Sequence, residues 1–144
     1  MLRRRLQGMQ ALHASRERFD VVILDPPAFI KRKKDIKASS EAYRRLNEVA
    51  MRVLAQDAIL VSCSCSYHLP LKQLIAHMRA AAHHCGRQMQ IIGISRQAPD
   101  HPLHPAIPET AYLKAVFARL TRWQAWNGIR WSCPDYGPCL TSKL

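Results

Sequence analysis

The sequence predicts an α/β layered fold from three observations. Segments with apolar residues at helical spacing alternate with short aliphatic runs, in the order helix, strand, helix, strand, helix, strand, strand. The aliphatic run Val21–Leu24 has no polar alternation, which is typical of a parallel strand buried on both faces. A chain of 144 residues with 48% hydrophobic and 22% charged residues has the composition of one globular domain.

The first half of the chain predicts two helices around one strand. Apolar residues at helical spacing indicate a basic amphipathic helix over residues 2–15. A strand follows over residues 19–24, and Pro26 and Pro27 end it because proline cannot continue the hydrogen-bond ladder. The basic stretch Lys31–Lys34 is a predicted loop, and a second helix covers residues 35–54.

The second half predicts three further strands and one helix. Residues 58–64 form an apolar strand, and a helix begins at a first-turn proline and covers residues 70–86. Residues 88–96 predict another strand, residues 98–108 a proline-rich loop, and residues 112–120 the last strand.

The tail differs in composition from the rest of the chain. Residues 121–144 contain all three tryptophans and two of the five cysteines, without a sustained helical or strand period. We interpret residues 1–120 as one partial domain and residues 121–144 as an irregular tail, either a loosely packed appendage or disordered, non-native sequence.

The net charge of +12 favours a polyanionic partner, since each neutralised phosphate releases a counterion; a solvated basic surface is the alternative. No apolar stretch approaches the roughly 20 residues of a membrane span, and the N-terminus lacks the apolar core of a signal peptide. We therefore expect a cytoplasmic protein. The cysteines match no disulfide framework and no zinc spacing, and His83, His84 and Cys85 point in different directions on a helix, so no metal is expected.

Two motifs stand at the predicted carboxyl ends of strands, where α/β sheets bind ligands. Asp25-Pro26-Pro27 follows the first strand, and Ser64-Cys65-Ser66 ends the second. A carboxylate and unpaired carbonyls at such a rim suit the amino group and ring nitrogen of a nucleobase. By itself, Asp-Pro-Pro is also an ordinary strand-ending turn.

Together with later motifs, these two carry a family resemblance. The motifs are Phe19–Phe29, Tyr43, Ile59–Ser66, Gln97–Pro102, Pro108-Glu109 and Tyr112-Leu113-Lys114. They resemble the C-terminal part of the catalytic domain of class I S-adenosylmethionine-dependent methyltransferases that modify C5 of a cytosine in large-subunit ribosomal RNA. The resemblance covers residues 1–120 and implies the C-terminal half of a Rossmann-like sheet.

The resemblance also implies site residues. Cys65 is placed to add to C6 of cytosine, which makes C5 nucleophilic, and Cys63 remains an alternative since strand alternation puts both on one face. Asp25 would hydrogen-bond or protonate N3. Asp25 and Pro26 would also contact the cofactor.

Substrate contacts are expected around the same strand end. Pro26, Pro27 and Phe29 would flank a flipped base, and Lys31 would meet phosphate, although a charge run is as often a solvated surface. The segment Asp100–Pro102 forms either a lid over the site or a simple connection. The expected partner is RNA, specifically 23S ribosomal RNA.

None of the five glycines forms a glycine-rich turn between a strand and a helix ahead of Asp25. We therefore expect a fragment that lacks the cofactor-binding first half of the domain. Such a fragment should be inactive by itself, and its binding of S-adenosylmethionine is doubtful. The missing half would leave an apolar sheet edge at Val21–Leu24, which promotes self-association. Two other functions fit the sequence. One is an amino-nitrogen methyltransferase of the Asp-Pro-Pro type, and the other is a basic RNA-binding module without catalysis.

Overall fold

The computed structural model describes residues 2–27 and 36–122. It confirms the α/β class: one four-stranded sheet with three α-helices. The elements are α1 (Leu2–Ala14), β1 (Phe19–Leu24), α2 (Ile36–Val53), β2 (Leu54–Ser64), α3 (Leu71–His84), β3 (Arg87–Arg96), a short 3-10 helix (Pro108–Thr110) and β4 (Lys114–Arg122). None of the helices in these ranges is long and apolar enough to cross a membrane.

The predicted order of helices and strands is confirmed, and the largest shifts in boundaries concern β2 and β4. β2 begins at Leu54 instead of residue 58, because the strand continues directly from the end of α2. Its early start lets Phe19 pair with Leu54 before a register irregularity leads to the Val21–Ile59 pair. β4 begins at Lys114, two residues later than predicted. The basic loop Lys31–Lys34 and residues 123–144 lie outside the described residues.

The sheet has the strand order β1-β2-β4-β3. β1 and β2 run parallel, whereas β4 pairs antiparallel with both β2 and β3. Parallel pairing places the carboxyl ends of β1 and β2 at the same rim of the sheet, and antiparallel pairing brings the start of β4 to that rim as well. β1 is an outer strand of the described sheet, as expected for the Val21–Leu24 edge.

The core lies between one face of the sheet and the helices α2 and α3. Alternate residues of the strands face this layer, and the fully buried ones include Leu60 of β2 and Val116, Ala118 and Leu120 of β4. The other face of β1 is open, so the prediction of a strand buried on both faces is wrong. Leu24 is 6% exposed, but Val21 is 52% and Ile23 66% exposed, since the described helices cover one face alone.

His77 of α3 makes the stability of this core sensitive to pH. Burial lowers the pKa of His77 below its ordinary value of 6.5; the charge of Glu41 raises it by a smaller amount, and the charge of Arg44 lowers it further. Its Nε2 atom is buried and has no hydrogen-bond partner among the described residues. A neutral imidazole is therefore preferred in the folded state.

We expect the free energy of unfolding to fall as the pH drops through 6.5, because the unfolded chain then binds a proton that the folded chain resists. Urea unfolding on both sides of this pH measures the effect. His77→Gln should flatten the dependence, whereas the exposed His84 can be replaced by Gln as a control without this change. An equal pH dependence in His77→Gln would refute the assignment.

Candidate active site at the carboxyl ends of β1 and β2

Register places Asp25 beside Cys63 at the rim of the sheet. Leu24 pairs with Ser62 in the parallel ladder, and Asp25 and Cys63 are the next residues on the two strands. Asp25 is exposed and Cys63 is partly buried. The pKa of the Cys63 thiol is raised, first by burial and then by the negative charge of Asp25. The carboxylate of the Asp25-Pro26-Pro27 motif therefore acts electrostatically on Cys63.

Cys65 has a different charged neighbour. It lies one residue beyond β2, which ends at Ser64, so strand alternation does not extend to it. Its thiol is free and partly exposed. Lys114 is one such neighbour: burial lowers the pKa of Lys114, and the interaction with Cys65 opposes that effect. Asp25 thus acts on Cys63, whereas Cys65 acts on Lys114.

Buried hydrogen bonds hold the turn after β2. The hydroxyl groups of Tyr43 and Ser64 are 2.9 Å apart, and both residues are buried. The amide of Ser66 donates to Ser64 Oγ at 3.2 Å, and the amide of Leu69 donates to the Ser66 carbonyl at 3.2 Å. The tyrosine, which the sequence identifies only as part of a motif, therefore anchors the turn that carries Cys65.

Lys114 closes this turn from the neighbouring strand. It pairs with Ser64 in the antiparallel ladder, and its ammonium donates to the carbonyls of Ser66 at 2.7 Å and Leu69 at 2.6 Å. Lys114 was not among the site residues predicted from the sequence. The available signal was its place in Tyr112-Leu113-Lys114, directly before the apolar residues of β4, where a lysine is uncommon.

The remaining predicted residues are partly described. Pro26 is buried, whereas Pro27 is exposed beside Asp25 at the end of β1. Phe29 and Lys31 lie outside the described residues. The side chains of Asp25 and Pro27 are thus exposed, whereas Pro26, which was predicted to flank a base and to contact the cofactor, is buried.

The predicted lid segment lies elsewhere at the same rim. His101 and Pro102 line a cavity of about 860 Å³ together with Tyr67 and His68, which follow Cys65. Asp25, Cys63 and Cys65 do not line it. Within residues 2–27 and 36–122, no group of three or more His, Cys, Asp or Glu side chains is placed to hold a metal ion.

Comparisons with known proteins support the resemblance. The chain is 35% identical over 114 residues to ribosomal RNA large subunit methyltransferase I of Yersinia pseudotuberculosis and equally to that of Yersinia pestis. The match covers 79% of this chain and 29% of each relative. The chain thus spans less than a third of the length of these curated relatives. No protein-family model matches the chain.

Solved structures support the fold. SMU.776, assigned as a methyltransferase and complexed with SAH, aligns over 78% of this chain and 29% of its own, with a TM-score of 0.65 at 15% identity. A protein assigned as a SAM-dependent methyltransferase from Streptococcus mutans aligns with a TM-score of 0.64 at 13% identity, over 78% and 28% of the two chains. At these identities the likeness concerns the fold: the described sheet corresponds to part of a Rossmann-like methyltransferase sheet.

Removing the ammonium of Lys114 should loosen the turn that carries Cys65. Lys114→Met leaves the Ser66 and Leu69 carbonyls without this donor, so we expect the free energy of unfolding to fall by about 1–3 kcal/mol. Urea unfolding measures the loss. Lys114→Arg should restore part of it, and Lys72→Met, at an exposed position of α3, should change stability by less than about 0.5 kcal/mol. If Lys114→Met were as stable as the wild type, the ammonium of Lys114 would not stabilise this turn.

Proposed function

We infer that the chain forms the substrate-facing side of an S-adenosylmethionine-dependent methyltransferase that modifies ribosomal RNA of the large subunit, 23S in bacteria. The observation that carries this inference is the rim where Asp25, directly after β1, adjoins Cys63 of β2, two residues before Cys65. The 35% identity to ribosomal RNA methyltransferases supports the substrate class, and the net charge of +12 suits an RNA partner.

The proposed reaction is methylation of C5 of a cytosine. S-adenosylmethionine, when bound, supplies an electrophilic methyl group. A cysteine thiolate would add to C6, so an S–C6 bond forms and the ring electrons move towards C5. C5 would then bond the methyl carbon as the bond between that carbon and the sulfonium sulfur breaks, which leaves S-adenosylhomocysteine. Loss of the C5 proton to a base and cleavage of the S–C6 bond restore the aromatic ring and the thiolate.

Cys65 is the better candidate for the attacking thiolate. Negative charge from Asp25 and burial both disfavour the thiolate of Cys63, whose pKa is raised. Cys65 instead lies in the turn whose carbonyls accept hydrogen bonds from the ammonium of Lys114. The hydrogen bonds from Tyr43 and Lys114 to this segment support a fixed position for Cys65.

Asp25 is the proposed partner of the cytosine ring. Its exposed carboxylate stands at the rim, where it can accept a hydrogen bond from the amino group or share a proton with N3 as charge develops in the ring. The exposed ring of Pro27 offers an apolar contact for the same base. S-adenosylmethionine would meet this side through the carboxylate of Asp25 and the backbone of Pro26, because the ring of Pro26 is buried.

A trapping experiment tests the cysteine assignment. Because the chain spans less than a third of its relatives, the assay uses the Yersinia protein with its matched segment replaced by that of this chain. RNA containing 5-fluorocytosine has no C5 proton to lose, so the S–C6 bond should persist after methyl transfer as a covalent adduct. Gel electrophoresis should show the adduct for the unaltered chimera and for Cys63→Ser, and none for Cys65→Ser.

Other outcomes separate the competing functions. An adduct that persists in Cys65→Ser and disappears in Cys63→Ser would reverse the assignment. Methyl transfer without any adduct would favour an amino-nitrogen methyltransferase. RNA binding without transfer would favour the basic RNA-binding module.

The outer strand β1 provides a route for self-association. Its exposed Val21 and Ile23 adjoin an edge that no described strand covers. We expect association that depends on protein concentration in sedimentation velocity, weakened about tenfold or more by Ile23→Lys, which corresponds to ~1.4 kcal/mol. Ile107→Lys adds the same charge at another exposed isoleucine and should leave the association unchanged. A monomer at all concentrations would refute this interpretation.

A further inference from the structure

The cavity beside the turn after Cys65 has no role in the proposed methyl transfer. It lies between the start of α3 and the connection from β3 to β4, and its volume of about 860 Å³ is within the range of small-molecule sites. Its walls are mainly apolar and include three prolines, at positions 70, 99 and 102. The cavity is thus large enough for a nucleotide and is separate from Asp25.

An exposed aromatic ring stands at this cavity. Tyr67 is 43% exposed, and its ring meets that of His68 edge to face with centroids 5.5 Å apart. Leu103, on the opposite connection, is 55% exposed and lines the same cavity. An accessible tyrosine opposite an apolar side chain is an arrangement that suits a flat ring, since every nucleobase can stack through its face.

The charge at the cavity is positive. Arg96 and Lys114 line it, and no carboxylate does so among the described residues. The ammonium of Lys114 already donates to two carbonyls, but the guanidinium of Arg96 has no hydrogen bond or ion pair within the described part of the chain. Arg96 is therefore available to an anionic group such as a phosphate.

Hydrogen bonds hold the cavity wall in place before any ligand binds. The side-chain amide of Gln97 donates to the carbonyls of Thr110 at 2.6 Å and His101 at 3.2 Å, and its oxygen accepts from the amide of Leu113 at 3.4 Å. Gln97 thus ties both ends of the connection between β3 and β4 together. A wall fixed in this way lowers the entropic cost of binding.

We propose that this cavity binds a nucleotide of single-stranded RNA adjacent to the nucleotide that is methylated. The base stacks on Tyr67 against the apolar wall, and Arg96 contacts a phosphate. The cavity begins two residues after Cys65, so a strand that presents its cytosine to that thiol passes its opening. This inference rests on the proposed function and specifies how the same rim holds its RNA substrate.

RNA binding by the 144-residue chain tests the proposal. The probe is a short fluorescein-labelled single-stranded RNA, followed by fluorescence anisotropy at several salt concentrations. Tyr67→Ala should weaken binding by about 5- to 100-fold, the loss expected for one stacked base, and Tyr67→Phe should retain most of the affinity. Arg96→Gln should weaken binding. It should also lower the slope of log affinity against log salt concentration by about 1, the change expected for the loss of one phosphate contact.

A matched control distinguishes the cavity from general charge. Arg52 is also an exposed arginine, but it lies just before β2, at the opposite end of the strand from Cys65. Arg52→Gln removes the same charge and should have a markedly smaller effect than Arg96→Gln. Equal effects of the two arginine variants, or unchanged affinity in Tyr67→Ala, would overturn the proposal, as would the absence of RNA binding by the unaltered chain.

The failure of this proposal and that of the methyl-transfer proposal are distinguishable. If RNA binding depends on Tyr67 while the trapping chimera forms no adduct, the chemistry is wrong and the cavity stands. If the adduct forms but Tyr67→Ala binds the RNA probe normally, the proposed nucleotide site in the cavity is wrong and the proposed chemistry stands.

Discussion

The parallel pairing of β1 with β2 is the constraint on which the site depends. With Leu24 opposite Ser62, the residues that follow are Asp25 on one strand and Cys63 on the other. Leu24 is also buried in the core, so the last residue of β1 both packs against the helices and places Asp25 level with Cys63.

The antiparallel strand β4 completes the rim from the other side of β2. Its first residue, Lys114, lies opposite Ser64, and its ammonium reaches the carbonyls of the turn that carries Cys65. Tyr43 reaches the same turn from α2 through Ser64. Two elements, α2 and β4, thus converge on the short segment after β2 that carries Cys65. The charge of Asp25 acts on the other cysteine, Cys63, whose pKa is raised first by burial and then by this carboxylate.

The uneven covering of the sheet explains its exposed apolar residues. The described helices bury the face that carries Leu60 and Leu120, whereas Val21 and Ile23 project from the other face of an outer strand. The run Val21–Leu24 has the composition of a strand that is covered on both faces, and within the described residues one of these faces is uncovered. The strand is therefore more exposed than its apolar composition predicts. An exposed apolar edge of this kind favours contact with another polypeptide.

The sequence by itself determined the order of helices and strands, the rim motifs Asp25-Pro26-Pro27 and Ser64-Cys65-Ser66, and the resemblance to ribosomal RNA methyltransferases, since periodicity and local motifs are written in neighbouring residues. The tertiary structure alone decided which charges face the cysteines, because Asp25 and Lys114 reach them through strand pairing between distant segments. It likewise formed the cavity of Tyr67, Arg96 and Leu103 from two connections that are far apart in sequence. Proximity of this kind depends on register and packing, which no local pattern specifies.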